Sequence, residues 1–325
     1  MTKTLNSFLE TLIFFILIAF AIILSFAGDF STAVIDGINL WFACVLPSLF
    51  PYFIITTLLS TLKVTGKISN ALSPLTKRLF NVNGSVGYAL FMSIISGYPM
   101  GAKIVSDLKD GGMLTDTEAT RSAALCSTSS PVFLIGSVGS LMFKNAFFGL
   151  MLFICHIISI VLVGVIFSFY KRKEKSTANF NAFTPTKLDN LLYDSVYSAV
   201  TSSILVGGII TLFYLITEVL LSFNALSPLT FLFESVIGDK HTAQGLVLGI
   251  IESTRGLKTL AGGGITFLSL PVCAFICGFG GISVIMQSLA YLKKAKIKTA
   301  PFLLAKLLSA VINFVIGLVF SLLFI

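Results

Sequence analysis

Apolar residues fall along this chain in long runs, neither in the alternation of a half-buried sheet nor in the narrow stripe of a soluble helix. Runs at 8–27, 37–62, 119–142, 145–169, 196–221, 264–290 and 301–325 approach or exceed the roughly 20 residues that carry a helix across a bilayer core. They predict an all-α polytopic membrane protein with about seven spans. Two further stretches, 84–108 and 241–262, are too interrupted to cross. They read "GSVGYALFMSIISGYPMGAKIVSDL" and "HTAQGLVLGIIESTRGLKTLAG", each an apolar arm, a polar tip with Gly, and a second arm carrying charge. Gly and Pro at a tip break a helix. Unpaired backbone at membrane depth survives only against protein or a water-filled cavity, a condition that re-entrant hairpins meet.

Composition agrees with the pattern. Apolar residues make up 56% of the chain and charged residues 11%, roughly half the charged share of a soluble domain. The net charge of +8 does not indicate nucleic acid, because most Lys and Arg occupy short connections between apolar runs, where they set orientation. With the N-terminus cytoplasmic, the 28–36 connection lies outside and carries Asp29 and Asp36 without Lys or Arg. The 63–83 connection lies inside, with Lys63, Lys67, Lys77 and Arg78. "KRKEK" at 171–175 and "YLKKAKIKT" at 291–299 fall on that same side, while 222–240 falls outside. The first hairpin then dips from the cytoplasm and the second from the opposite face. The run after Lys3 resembles a signal peptide, but the spans that follow favour a retained first helix.

The heptamer "NALSPLT" occurs at 70–76 and again at 224–230, each time after a span and before a hairpin. The chain divides into an extra N-terminal helix and connection (1–36), a first repeat (37–169), a basic cytoplasmic loop (170–195) and a second repeat (196–325). Each repeat holds three crossings, an odd number, so the second is inverted. Inverted repeats with interrupted segments meeting near the midplane are a signature of secondary transporters.

Four polar or Gly-rich stretches should then converge: "SGYPMGAK" (96–103), "CSTSSP" (126–131), "ESTRGLK" (252–258) and "CGFGGIS" (277–283). Pro131 opens the helix behind Ser127, Thr128, Ser129 and Ser130, whose hydroxyls and freed carbonyls can serve a ligand or only permit close helix packing. Lys103, Glu252, Arg255 and Lys258 would lie at or near membrane depth, where charge is expensive unless paired or functional. Three cations against one anion point to an anionic substrate, helped by half-helix N-termini. Glu252 is the candidate proton or ion carrier. His156, alone on an apolar span, reads as a packed or hydrogen-bonded residue. Thr115 with Glu118 three residues on predicts an N-cap, not a calcium loop. The five cysteines lie in apolar stretches without metal-type spacing, and no catalytic, Walker or Rossmann pattern stands out. No metal, cofactor or enzyme activity is expected.

Four stretches, "LPSLFPYFI" (46–54), "SGYPMGAKIV" (96–105), "CSTSSPVFLIGSVG" (126–139) and "LPVCAFICGFGGISV" (270–284), resemble the sporulation integral membrane proteins of the YlbJ type, which contain the nucleoside-recognition, or Gate, domain. The resemblance covers nearly all of the chain after the first span. It implies a bacterial membrane location, in a sporulating cell the outer forespore membrane, and movement of dipicolinic acid, a small aromatic dicarboxylate. More distantly, "CGFGGIS" is similar to the Cys-Gly-Phe-Ala-Asn segment of concentrative nucleoside transporters, whose scaffold implies inverted repeats and a homo-oligomer. Gly281 stands where those transporters place Asn, and glycine offers no side chain to a ribose or base.

The expectation is an alternating-access transporter for a small anionic metabolite. Lys103, Arg255 and Lys258 would bind carboxylates, Ser127 to Ser130 and Ser253 would supply hydroxyls, and Tyr98 or Phe279 would stack on a ring. The coupling ion, sodium or proton, is not readable. The alternatives are a nucleoside transporter, or a non-transporting membrane receptor or scaffold that docks a partner through the 170–195 loop.

Overall fold

The computed structural model describes residues 14–15, 17–18, 21–22, 30–61, 64–172 and 190–325. The expected first span at 8–27, most of "KRKEK" and most of the 170–195 loop lie outside the described residues. Among the described residues every regular element is helical. Helix α1 (Phe30–Leu40) runs through a π-helical turn at Trp41–Val45 into α2 (Leu46–Thr61). A short helix α3 (Val64–Leu75), ending in a π-helical turn, leads to the pair α4 (Ser85–Ser96) and α5 (Met100–Asp110). Helix α6 (Asp116–Leu125), an unwound stretch, a π-helical segment (Val132–Met142) and α7 (Ala146–Ser168) complete the first part.

The second part runs in the same order. Helix α8 (Leu191–Ser222) precedes a short helix α9 (Ser227–Ile237), the pair α10 (Lys240–Ile251) and α11 (Ser253–Gly262), the broken pair α12 (Ser269–Phe279) and α13 (Gly281–Lys294), and α14 (Thr299–Phe324). The chain sets these starts locally. Thr115 and Glu118 form the expected capping box on α6. Asn145 caps α7 by accepting from the Phe148 amide at 3.0 Å, and Asp239 caps α10 by accepting from the Thr242 amide at 2.7 Å.

Among the described residues five stretches are long and apolar enough to cross a membrane: Phe30–Ser60, Ala146–Ser168, Leu191–Ser222, Ser269–Lys294 and Thr299–Phe324. A sixth arises if Thr65–Phe80 and Ser85–Ser96, bent by 94° to one another, count as one. Three expectations change. The run at 119–142 is not one continuous helix, because helix stops at Leu125 and resumes only at Val132. The proposed outer connection at 28–36 is largely helical from Phe30, so Asp36 lies on α1. The two heptamers also differ in conformation. "NAL" is helical at 70–72 but turns at 224–226, and Pro74 lies inside a helix whereas Pro228 opens one. The common order of elements relates the two parts more firmly than the heptamer does.

The helices pack with polarity inward. Along α14, Leu304, Leu307, Val311, Val315, Val319 and Leu322 are exposed, while Lys306, Ser309, Asn313, Gly317 and Ser321 are buried. A soluble helix reverses this arrangement; helices that pack within lipid place small and polar residues against their neighbours. The α10–α11 pair is a tight hairpin. A Cβ on Gly256 would lie 2.2 Å from the Gly249 Cα, closer than any side chain permits.

Candidate functional site

Four breaks in helical backbone meet at one place. At the first, α4 ends at Ser96, Gly97 takes φ 77°, and the Tyr98–Pro99 bond is cis before α5 begins. Here a residue with a side chain would be strained at Gly97, and its Cβ would press within 2.9 Å of the Ser130 amide. The second break is 126–131. Two of its polar groups find partners on neighbouring helices: Thr128 Oγ1 donates to the Ser93 carbonyl on α4, and the Ser129 amide donates to His156 Nε2 on α7 at 2.8 Å. Pro131 removes one donor that the helix would have used.

At the third break a single residue, Glu252, is extended between α10 and α11. Its carboxylate accepts from the Arg255 amide at 2.6 Å, capping the helix that follows. The fourth break is Gly280–Gly281, with φ 84° and 75°. A Cβ on Gly281 would meet the Ser253 amide at 2.9 Å. Each hairpin tip therefore packs on the break that follows it in the chain. The two systems touch across the middle, where the Tyr98 hydroxyl donates to the Cys277 carbonyl at 3.3 Å.

Between them lies a cavity of about 540 Å³, counting its open mouth. Gly97 and Tyr98 contribute from the first tip, Ser129 and Ser130 from the first break. Glu252, Ser253 and Thr254 contribute from the second tip, and Cys277, Gly280 and Gln287 from the second break and its helix. Apolar walls come from Val45 and Leu49 beside α2 and from Val206 and Ile210 on α8. Both parts of the chain thus contribute a tip and a break to the lining.

The structure brings together Tyr98, Ser129, Ser130, Glu252 and Ser253 of the residues expected from sequence. Ser127 and Thr128 are buried in the same unwound stretch, with Thr128 turned to the Ser93 carbonyl. The remaining expectations fall elsewhere. Lys103 lies on α5 beside Asp107, and Lys258 is exposed on α11. Phe279 stacks on Phe275 with ring centroids 6.4 Å apart. None of the three lines the cavity. Arg255 is buried but occupied: its guanidinium donates to the Tyr214 carbonyl at 2.9 Å, to Thr217 Oγ1 and to the Glu218 carboxylate. It also lies 4.0 Å from the centroid of the Tyr214 ring. This side chain ties the second hairpin to α8.

His156 is hydrogen-bonded, as its surroundings in sequence suggested, and accepting from an amide requires an unprotonated Nε2. Two groups escaped sequence reasoning. Lys306, on α14, is 1% exposed. Its Nζ donates to the Tyr98 hydroxyl at 2.6 Å and lies 4.2 Å from the centroid of the Tyr98 ring. Gln287 lines the cavity at 4% exposure, and its Nε2 has no partner. The available signal for Lys306 was a lone cation eight residues into an otherwise apolar helix. Among the described residues no cluster of His, Cys, Asp and Glu is arranged to hold a metal, and all five cysteines are free and buried.

Comparison with known proteins places these features in a family. Residues 42–173 match the Gate family, described as nucleoside recognition. The chain is 30% identical over 300 residues to the sporulation integral membrane protein YlbJ of Bacillus subtilis (strain 168), covering 85% of this chain and 73% of that protein. No solved structure matches. A polytopic helical chain with the Gate region in its first part and this extent of identity belongs to the YlbJ family of sporulation integral membrane proteins.

Proposed function

We propose that the protein is a secondary transporter that moves a small anionic metabolite by alternating access, with dipicolinate as the substrate in a sporulating cell. The observation that carries this reading is the convergence of four helix breaks, two from each part of the chain, on one partly open cavity. Broken helices place backbone donors and acceptors at membrane depth, where they are tolerated only around a cavity. The matching order of elements supports seven spans, two re-entrant hairpins and an inverted second repeat, the arrangement that lets one repeat rock against the other around a fixed site.

The cavity suits a planar, partly apolar ligand. Tyr98 offers a ring at one wall, while Ser129, Ser130 and Ser253 offer polar groups around it. Glu252 is the carboxylate through which a proton or cation could couple to transport, because it faces the cavity and is fully buried. The description of the Gate family as nucleoside recognition favours a second reading, a nucleoside substrate on the same scaffold.

Uptake of labelled dipicolinate and uridine into proteoliposomes containing the full chain tests both. Dipicolinate accumulation above protein-free vesicles is expected. Uridine accumulation alone would transfer the site to the nucleoside reading. Movement of neither, with stable capture of a partner protein, would replace transport by a receptor or scaffold role.

A further inference from the structure

The cavity is chemically uneven. At the second tip Glu252 contributes a carboxylate, already used in part to cap α11. At the second break Ser283, in the first turn of α13, already donates to that carboxylate at 3.4 Å. Lys306 has three N–H donors, and among the described residues its one hydrogen bond goes to the Tyr98 hydroxyl. No carboxylate among the described residues lies within ion-pair distance of it. A Cβ on Gly280 would sit 3.4 Å from Lys306 Nζ, so the amine abuts the start of α13. No side chain caps that helix. Seven residues along it, Gln287 lines the same cavity, and its buried Nε2 has no hydrogen-bond partner.

A buried cation without an anion is costly, and removing water from it is repaid only by a well-placed counter-charge. Lys306 stands one side chain behind the wall, screened by the Tyr98 ring that lines the cavity. The amine and the Gln287 amide are donors short of acceptors. A substrate carboxylate satisfies the shortage at the amine.

We infer that Lys306 is the anion anchor of this transporter: a substrate carboxylate binds at the second break beside the Lys306 amine once Tyr98 yields its hydrogen bond. This deepens the proposed function and rests on its cavity being the transport site. It also moves the cationic role from Arg255, which is engaged by Glu218, to a residue on the last helix.

The test uses full-length protein in nanodiscs, with dipicolinate, picolinate and neutral picolinamide as probes in calorimetric and thermal-shift titrations. Wild type should bind the two carboxylates and discriminate against the amide. Lys306→Met should weaken carboxylate binding by about 100-fold, the order expected when one member of a buried charge pair is removed. The same variant, without ligand, should melt at a higher temperature than wild type, because a methionine fills the site with no unpaired charge. Lys306→Arg should retain measurable carboxylate binding. A merely structural lysine gives the opposite melting result and no selectivity between acid and amide. Equal carboxylate affinity in wild type and Lys306→Met overturns the anchor while leaving transport intact. Absence of carboxylate binding to wild type overturns it too, and uridine uptake by the same preparation then shows whether the transporter reading survives.

Discussion

At the scale of single residues, the difference between a charge that binds ligand and one that holds the protein together is a matter of partners. Arg255 and Lys306 are both buried basic side chains. Arg255 spends its donors on the Tyr214 carbonyl, Thr217 and Glu218, whereas Lys306 has a phenol. Arg255→Ala is therefore expected to act on stability first. With the Glu218 carboxylate side chain 39% exposed, solvent reduces the pair's worth, and a loss of about 1–2 kcal/mol is expected. A double-mutant cycle with Glu218→Ala, read by unfolding in detergent, should show coupling between the two. Additive losses would mean that the contact does not fasten the hairpin. Sequence placed Arg255 at a tip correctly, but spacing along one strand of chain could not show that Glu218, 37 residues earlier, had already claimed it.

Among elements, the breaks were legible and their packing was not. Gly and Pro marked the tip at 97–99 and the unwound stretch before Pro131, because these residues act on the local backbone. The fit of one arm on another depends on contacts between distant residues. Gly256 illustrates this: its missing side chain allows α11 to lie against Gly249 of α10. Gly256→Ala is expected to destabilise the protein by about 1–3 kcal/mol through overpacking. Gly262→Ala, later on the same helix with open space around it, should be neutral or raise stability by up to about 1 kcal/mol. Thermal unfolding of the two variants side by side measures the contrast, and equal losses would remove the close approach as its cause.

For the whole molecule, the decisive relation is the orientation of the two parts. Lys77 on the π-helical turn after α3 and Ser235 on α9 occupy corresponding linkers and are both exposed. Single-cysteine variants at these positions can be labelled with a membrane-impermeant thiol reagent, since the native cysteines are buried. The inverted arrangement requires opposite sides of the membrane. Labelling of both from one side would end it, and with it the alternating-access reading.

The chain alone determined the class of molecule and the places where helix must fail. Long apolar runs have no stable home in water, and glycine, proline and clustered hydroxyls withdraw backbone groups from a helical ladder. Tertiary structure decided which polar groups share the cavity and which are consumed elsewhere. Periodicity records depth and local conformation but not the neighbour across a helix face. For that reason Lys103, Lys258 and Phe279 fell outside the cavity lining, while Gln287, inconspicuous along the chain, joined it and Lys306 came to lie behind its Tyr98 wall.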